Sequence, residues 1–161
     1  MSFEKVAEQD GREVWLAVLA RPGEAASWSG PDLKDGGVLL FLDAETWDAD
    51  GLDAFVEAVL RLGPSEIAVS GTAGDEVKDA FDQELKLHPL PRPVSVTVRE
   101  EEELDESVWY MFFATIDRGA PAGPRQPPLV VAFADGDSRA DAFKSIAARF
   151  GAAMNEVLER Q

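Results

Sequence analysis

The chain has 161 residues, of which 45% are hydrophobic and 29% charged, with four Trp, nine Phe and no Cys. This length fits a single α/β domain over residues 1–161, the apolar content is too high for a disordered chain, and the lack of cysteine excludes disulfides and thiolate chemistry. A net charge of −16 argues against binding to nucleic acid or anionic membranes, which attract clustered Lys and Arg. With no signal peptide and no run of about 18 apolar residues, we expect a cytoplasmic protein.

Two apolar runs near the start of the chain predict strands. Residues 14–20 and 38–42 are apolar on consecutive positions rather than on alternating ones. That pattern is typical of strands covered on both faces, as in an interior parallel sheet. The link between them contains no predicted helix, so the first strand is compatible with parallel or antiparallel pairing.

Helices and strands alternate from residue 50 onwards. A first helix is predicted from an N-cap at Asp50 to Gly63-Pro64, and a second helix ends at His88-Pro89. A short strand is predicted at 67–69. The strand at 94–98 alternates in polarity, which favours a place nearer the sheet edge.

The last third of the chain completes the predicted fold. A buried helix is expected after Glu100–Glu103 and through Phe113, then a strand at 129–133 and a helix from Ser138. Strands that alternate with helices imply right-handed crossovers. We predict the α/β class: a three-layer sandwich with a mostly parallel five-stranded sheet, Rossmann-like or flavodoxin-like, and helices on both faces.

Four stretches of the chain carry a family resemblance. Residues 39–44 and 71–82 lead into the first two helices, and residues 96–101 and 108–113 follow them. These stretches resemble a family of small bacterial proteins classed as a domain of unknown function. The resemblance implies a bacterial α/β protein and supplies no catalytic residues.

A second resemblance concerns phosphate chemistry. Asp43 follows one predicted strand, Ser70 ends the next, Lys78 lies downstream, and residues 136–141 read Gly-Asp-Ser-Arg-Ala-Asp. These positions are similar to those of haloacid-dehalogenase-like phosphatases. The first motif departs from the family pattern, because Glu45 stands where the acid/base aspartate belongs.

That resemblance implies specific roles for five residues. A phosphatase of this type would use Asp43, Ser70 and Lys78 in catalysis. It would hold Mg²⁺ through Asp43, Asp137 and Asp141, since Mg²⁺ prefers carboxylate oxygens. Apart from Mg²⁺ under this hypothesis, no cofactor is expected, because the phosphate-binding loop and dinucleotide-binding motifs are absent from the sequence.

The carboxyl ends of the predicted strands form a candidate binding edge. Ligands of open parallel sheets bind there, and Ser70 and Thr72 could offer hydroxyl groups to an anion. Alternatively, Thr72 only caps the second helix. Asp43, Asp135 and Asp137 would share a metal only if the strands before them are neighbours; alternatively they begin turns or cap helices.

Two further surfaces point to protein partners. Glu100, Glu101, Glu102 and Glu103 belong to a run of six acidic residues in seven, which either docks a basic partner or forms a solvated helix start. At the other end of the chain, Met154, Val157 and Leu158 follow Gly151 and need cover, which predicts a homodimer.

The sequence therefore supports two functional hypotheses. The leading one is a non-enzymatic interaction or regulatory module with an acidic surface, because the chain has one His, no Cys and no intact catalytic motif. The alternative is a Mg²⁺-dependent phosphatase or a phosphate-ligand binder at the carboxyl edge of the sheet.

Overall fold

A six-stranded sheet organises the fold. The computed structural model describes residues 1–9, 11–33, 36–99, 104–111 and 129–159, with the main chain alone at residues 9, 109 and 150–159. The strands are β1 (Ser2–Gln9), β2 (Arg12–Val18), β3 (Gly37–Asp43), β4 (Glu66–Thr72), β5 (Ser95–Arg99) and β6 (Leu129–Ala134). Their order is β1-β2-β6-β3-β4-β5, and all pairs are parallel except β1 with β2. The predicted class and mostly parallel sheet are confirmed, as is the edge position of β5, whereas the count of five strands was wrong.

The strand that the prediction missed is β1. Its register against β2 shifts between Lys5 and Ala7. Phe3 packs with one hydrophobic cluster, whereas Val6 and Ala7 both pack with the other. A bulge of this kind interrupts the two-residue period by which a strand is recognised in a sequence.

Within the described residues, four α-helices accompany the sheet: α1 (Ala49–Arg61), α2 (Gly74–Leu87), α3 (Leu104–Trp109) and α4 (Asp137–Glu159). Two short 3-10 helices cover Pro22–Ser27 and Ala44–Thr46. The predicted helix after Glu103 begins as expected, but residues 112 and 113 lie outside the described ranges. None of the described helices has both the length and the apolar character needed to cross a membrane.

The beginnings of α1 and α2 differ from the prediction. The N-cap of α1 is Asp48 rather than Asp50, because the Asp48 carboxylate accepts a hydrogen bond from the Gly51 N–H at 2.6 Å. At α2 the N-cap is Ala73, in the left-handed region at φ 54°, and no side chain caps the helix. Thr72 is therefore the last residue of β4 and not a helix cap.

The central strand β3 contributes to two hydrophobic clusters. Its residues Val38, Leu40 and Leu42 pack with residues of α1 and α2, whereas Leu39 and Phe41 pack with residues of α3 and α4. Side chains of successive strand residues point to opposite faces. Both faces of β3 are thus covered by apolar groups, which explains why the run is apolar without alternation.

The neighbouring strands β3 and β6 mark the place in the sheet where a ligand is expected to bind. After β3 the chain leads to α1, and after β6 it leads to α4. Because α1 and α4 belong to different hydrophobic clusters, the two connections diverge. Open α/β sheets bind ligands at such a point, outside the carboxyl ends of the strands. Asp43 was expected to lie near the aspartates after β6 only if β3 and β6 were neighbours, and the two strands are indeed paired.

Candidate functional site

Three strand ends are tied together by hydrogen bonds at the carboxyl edge of the sheet. The main-chain N–H of Asp43 donates to Asp135 Oδ2 at 2.6 Å. The hydroxyl of Thr72, which lies beside Asp43 in the ladder, donates to Asp43 Oδ1 at 2.5 Å. Asp43 therefore links the ends of β3 and β4 to the residue that follows β6.

Arg139 supplies the positive charge of this group. Its Nη1 lies 3.6 Å from Asp135 Oδ1, and its guanidinium carbon lies 5.6 Å from the centre of the Phe41 ring. The two side chains of the ion pair are 22% and 11% exposed, so solvent screens their attraction less than that of a surface pair. We call Asp43, Thr72, Asp135 and Arg139 the carboxyl-edge network.

The electrostatics of the network centre on Asp135. Burial raises the pKa of Asp135 above its ordinary value of 3.8, and the charge of Asp43 raises it further. The hydrogen bond from the Asp43 N–H and the charge of Arg139 lower the same pKa. Two carboxyl groups in a half-buried position attract cations, and Mg²⁺ in proteins commonly takes one or two carboxylates together with water or phosphate oxygens.

The close approach of β4 to β3 at this edge depends on Gly71. Its φ is 116°, and a Cβ at this position would lie 2.1 Å from the carbonyl oxygen of Leu42. Only glycine fits both the conformation and the space. The residue therefore sets the distance at which Thr72 reaches Asp43.

The residues proposed for catalysis do not gather in one place. Asp43 belongs to the carboxyl-edge network, but Ser70 lies two residue pairs earlier in the ladder between β3 and β4 and is 1% exposed. The ammonium group of Lys78 pairs with Asp82 on the next turn of α2. Of the two residues predicted to bind an anion, Thr72 reaches the network and Ser70 is buried within the strand.

The predicted metal ligands on α4 are exposed. Asp137 begins the helix and Asp141 follows one turn later. Across the residues that the structure describes, no group of three or more His, Asp or Glu side chains could hold a metal ion. The carboxylate that accepts a hydrogen bond from Asp43 is that of Asp135, which stands two residues before Asp137.

Arg139 is the network member for which the sequence analysis proposed no role. It stands four residues after Asp135. Oppositely charged residues at this spacing can form an ion pair where a helix begins, so the spacing alone could have predicted the pair of Asp135 with Arg139.

The residues predicted to bind partners are described only in part. Glu100, Glu101, Glu102 and Glu103 lie outside the described residues. Met154, Val157 and Leu158 belong to the last turns of α4, where the main chain alone is described.

Exposed acids are concentrated on α1 and α2, which contact each other, and on the turn before α1. Residues 44–87 contain eleven acidic and three basic residues, a net charge of −8, which is half of the −16 of the whole chain. Eight of these acids are exposed: Glu45, Asp48, Asp50, Asp53, Glu57, Asp75, Glu76 and Asp79. We call these eight residues the acidic face. Two of the three basic residues are already paired with acids, Arg61 with Glu57 and Lys78 with Asp82.

The chain was compared with models of known protein families and with curated proteins, and neither comparison found a match. Its function therefore has to be inferred from the residues and contacts described above.

Proposed function

We propose that this chain is a cytoplasmic, non-enzymatic protein that binds a basic protein partner through the acidic face. The observation that carries this proposal is the concentration of eight exposed acids, six on the adjacent helices α1 and α2 and two just before α1. The basic residues in the same stretch leave it with a net charge of −8. A partner rich in Lys and Arg would be attracted to this surface before contact and oriented by it.

The proposal predicts a steep dependence on salt. Attraction between exposed charges is screened beyond about 8 Å at physiological ionic strength. A Lys/Arg-rich peptide labelled with a fluorophore should therefore bind at low NaCl concentration and dissociate at high concentration, as measured by fluorescence anisotropy. Binding that does not respond to salt would exclude an electrostatic docking surface.

A pair of variants with equal charge separates the acidic face from the general charge of the protein. The test variant combines Asp50→Asn, Asp53→Asn and Asp79→Asn. The control combines Asp105→Asn, Asp137→Asn and Asp141→Asn, which are exposed acids on α3 and α4. We expect the test variant to bind the peptide about tenfold more weakly and the control to bind almost normally. Equal weakening of both would show that the face has no special role.

A second candidate function is favoured by the hydrogen bond between Asp43 and Asp135. The bond from the Asp43 N–H to Asp135, together with the rise that the charge of Asp43 causes in the pKa of Asp135, indicates that the two carboxylates lie near each other. This supports binding of Mg²⁺, alone or with a phosphate-bearing ligand, at the carboxyl edge of the sheet. Isothermal titration with MgCl₂, with and without inorganic phosphate, tests this directly. Asp43→Asn should abolish the heat of binding, whereas Asp53→Asn, an exposed aspartate on α1, should preserve it.

The phosphatase hypothesis adds catalysis to that metal site. Asp43 would be the nucleophile, with Ser70 and Lys78 in the roles that the resemblance implies. Hydrolysis of a generic phosphate ester should then require Mg²⁺ and disappear in Asp43→Asn. Mg²⁺ binding without hydrolysis would favour a ligand-binding role instead.

The sheet order supports a finer proposal for the fold. We propose a three-layer, Rossmann-like arrangement, because the order β5-β4-β3-β6 follows the 3-2-1-4 part of the doubly wound order. The next position is filled by β2, which precedes these strands in the chain. This arrangement would place the carboxyl-edge network in the usual ligand crevice.

Self-association is a separate proposal. Pairing through Met154, Val157 and Leu158 would make the protein a homodimer. Sedimentation velocity of the native protein and of Val157→Asp tests it, since a buried charge at an apolar interface should shift the dimer towards monomer. A native protein that sediments as a monomer at all concentrations would exclude the dimer.

A further inference from the structure

A groove separates the final turns of α1 and α2, at the end of the helices opposite to the carboxyl-edge network. It has a volume of about 360 Å³ and is lined by Glu57, Leu60, Arg61, Glu84, His88 and Leu90. Two leucines give it apolar walls, and two glutamates give it negative charge. Its composition therefore matches a side chain with an apolar stem and a positive end, as Lys and Arg have.

Helix polarity favours the same occupant. The groove lies where α1 and α2 end, and a helix C-terminus carries partial negative charge from its free carbonyl groups. Two such ends add to the carboxylates of Glu57 and Glu84. With two glutamates against one arginine in the lining, these helix ends favour a cation over an anion at this position.

An exposed leucine stands next to the groove. Leu87 directly precedes the lining residue His88 and is 64% exposed. Among the described residues it is the one large hydrophobic side chain that is exposed. Solvent exposure of a leucine beside a charged groove suits a partner that brings an apolar residue close to its cation.

We propose that this groove anchors a Lys or Arg side chain of the basic partner, with a neighbouring apolar residue of the partner packed on Leu87. This inference rests on the proposed function and adds the chemistry of the anchor to it. The acidic face attracts the partner over a distance, and the groove fixes its position.

Arg61 competes for the groove in the free protein. Its guanidinium pairs with Glu57, and the two side chains are 71% and 52% exposed. Exposed pairs of this kind contribute little to stability. An arriving cation can therefore displace Arg61 from Glu57.

The competition gives a test in which affinity increases. The probe is a labelled Lys/Arg-rich peptide that contains one leucine. Its binding to the full chain is measured by fluorescence anisotropy. We expect Arg61→Ala to bind it about threefold more tightly, because Glu57 becomes available. Arg149→Ala is the matched control, since Arg149 is 64% exposed and pairs with Asp105 on α3. Equal effects of the two substitutions would overturn the inference, because both remove one positive charge.

The apolar contact is tested separately with Leu87→Ser. This substitution should remove the advantage of the leucine-containing peptide over the same peptide with serine, and should leave binding of the serine peptide unchanged. An advantage that survives in Leu87→Ser would refute the apolar contact.

If the peptide binds neither native protein nor variants, the proposed function fails. If neutralising Asp50, Asp53 and Asp79 weakens binding while Arg61→Ala matches Arg149→Ala, the function stands and the groove inference fails.

Discussion

The side chain of Asp135 accepts a hydrogen bond from the main-chain N–H of Asp43, with 2.6 Å between nitrogen and Oδ2. The ladder between β3 and β6 ends at the pair Phe41 and Ala134. The carboxylate therefore continues the pairing of the two strands beyond the last main-chain partner. It fixes the two loops that leave the sheet at the point where their paths diverge.

Replacement of Asp135 should show how much this bond stabilises the fold. Asp135→Ala leaves the half-buried N–H of Asp43 without its acceptor, so we expect the free energy of unfolding to fall by about 1–3 kcal/mol. Asp135→Asn keeps an oxygen acceptor and should lose less. Urea denaturation of the three proteins measures both effects, and equal losses in the two variants would show that the charge of Asp135, rather than the acceptor, matters.

The pH dependence of stability should also change in Asp135→Asn. Burial raises the pKa of Asp135 in the folded protein above 3.8. Between the unfolded and the folded pKa the folded state holds more protons, so its stability falls as the pH rises through that window. The variant lacks this titration, and its stability relative to the native protein should improve as the pH increases from about 3 to 7. Urea midpoints measured across this range that keep a constant difference would contradict the raised pKa.

The hydroxyl of Thr72 should matter more than that of a nearby surface threonine. Thr72→Val keeps the shape of the side chain but removes the donor to Asp43 Oδ1, and a hydrogen bond to a charged group contributes about 1.5–3 kcal/mol. Thr46→Val is the control, because the Thr46 hydroxyl is exposed and donates to the neutral carbonyl oxygen of Asp43 at 2.9 Å. Thermal denaturation should give a clearly larger loss for Thr72→Val. Similar losses would mean that the carboxylate of Asp43 finds another partner.

Gly71 should not tolerate even alanine. A Cβ would overlap the Leu42 carbonyl, and φ at this residue is 116°. Because both the backbone conformation and the space are wrong for a side chain, Gly71→Ala should cost at least about 3 kcal/mol or prevent folding. Gly23→Ala is the control, since nothing lies within 4 Å of a Cβ there. Circular dichroism and urea denaturation of both variants check the prediction, which a stable Gly71→Ala protein would contradict.

Part of the candidate site could be predicted from the sequence. Asp43, Thr72 and Asp135 were all placed at the carboxyl edge, because a polar residue after an apolar strand must lie where the strand ends. The contacts among them could not be predicted. Thr72 was expected to offer its hydroxyl to an anion or, alternatively, to cap the second helix. Its position in β4 opposite Asp43 instead makes it a donor to that carboxylate.

Some assignments could be made only from side-chain surroundings. Ser70 and Lys78 stand at the spacing that the phosphatase resemblance requires, but spacing does not report burial or competing partners. Ser70 is 1% exposed, and Lys78 pairs with Asp82. Likewise, the acids of α1 and α2 are scattered in the sequence and come near one another only because the two helices are neighbours.

Local sequence patterns are sufficient to predict the α/β class, the interior position of β3 and the edge position of β5, since the polarity of consecutive residues indicates which faces of a strand are covered. Only the folded chain shows that β6 lies between β2 and β3 and that β1 forms an edge of the sheet. Strand order depends on pairing between distant segments, which no local pattern encodes. The meeting of Asp43 with Asp135, 92 residues apart, follows from that order alone.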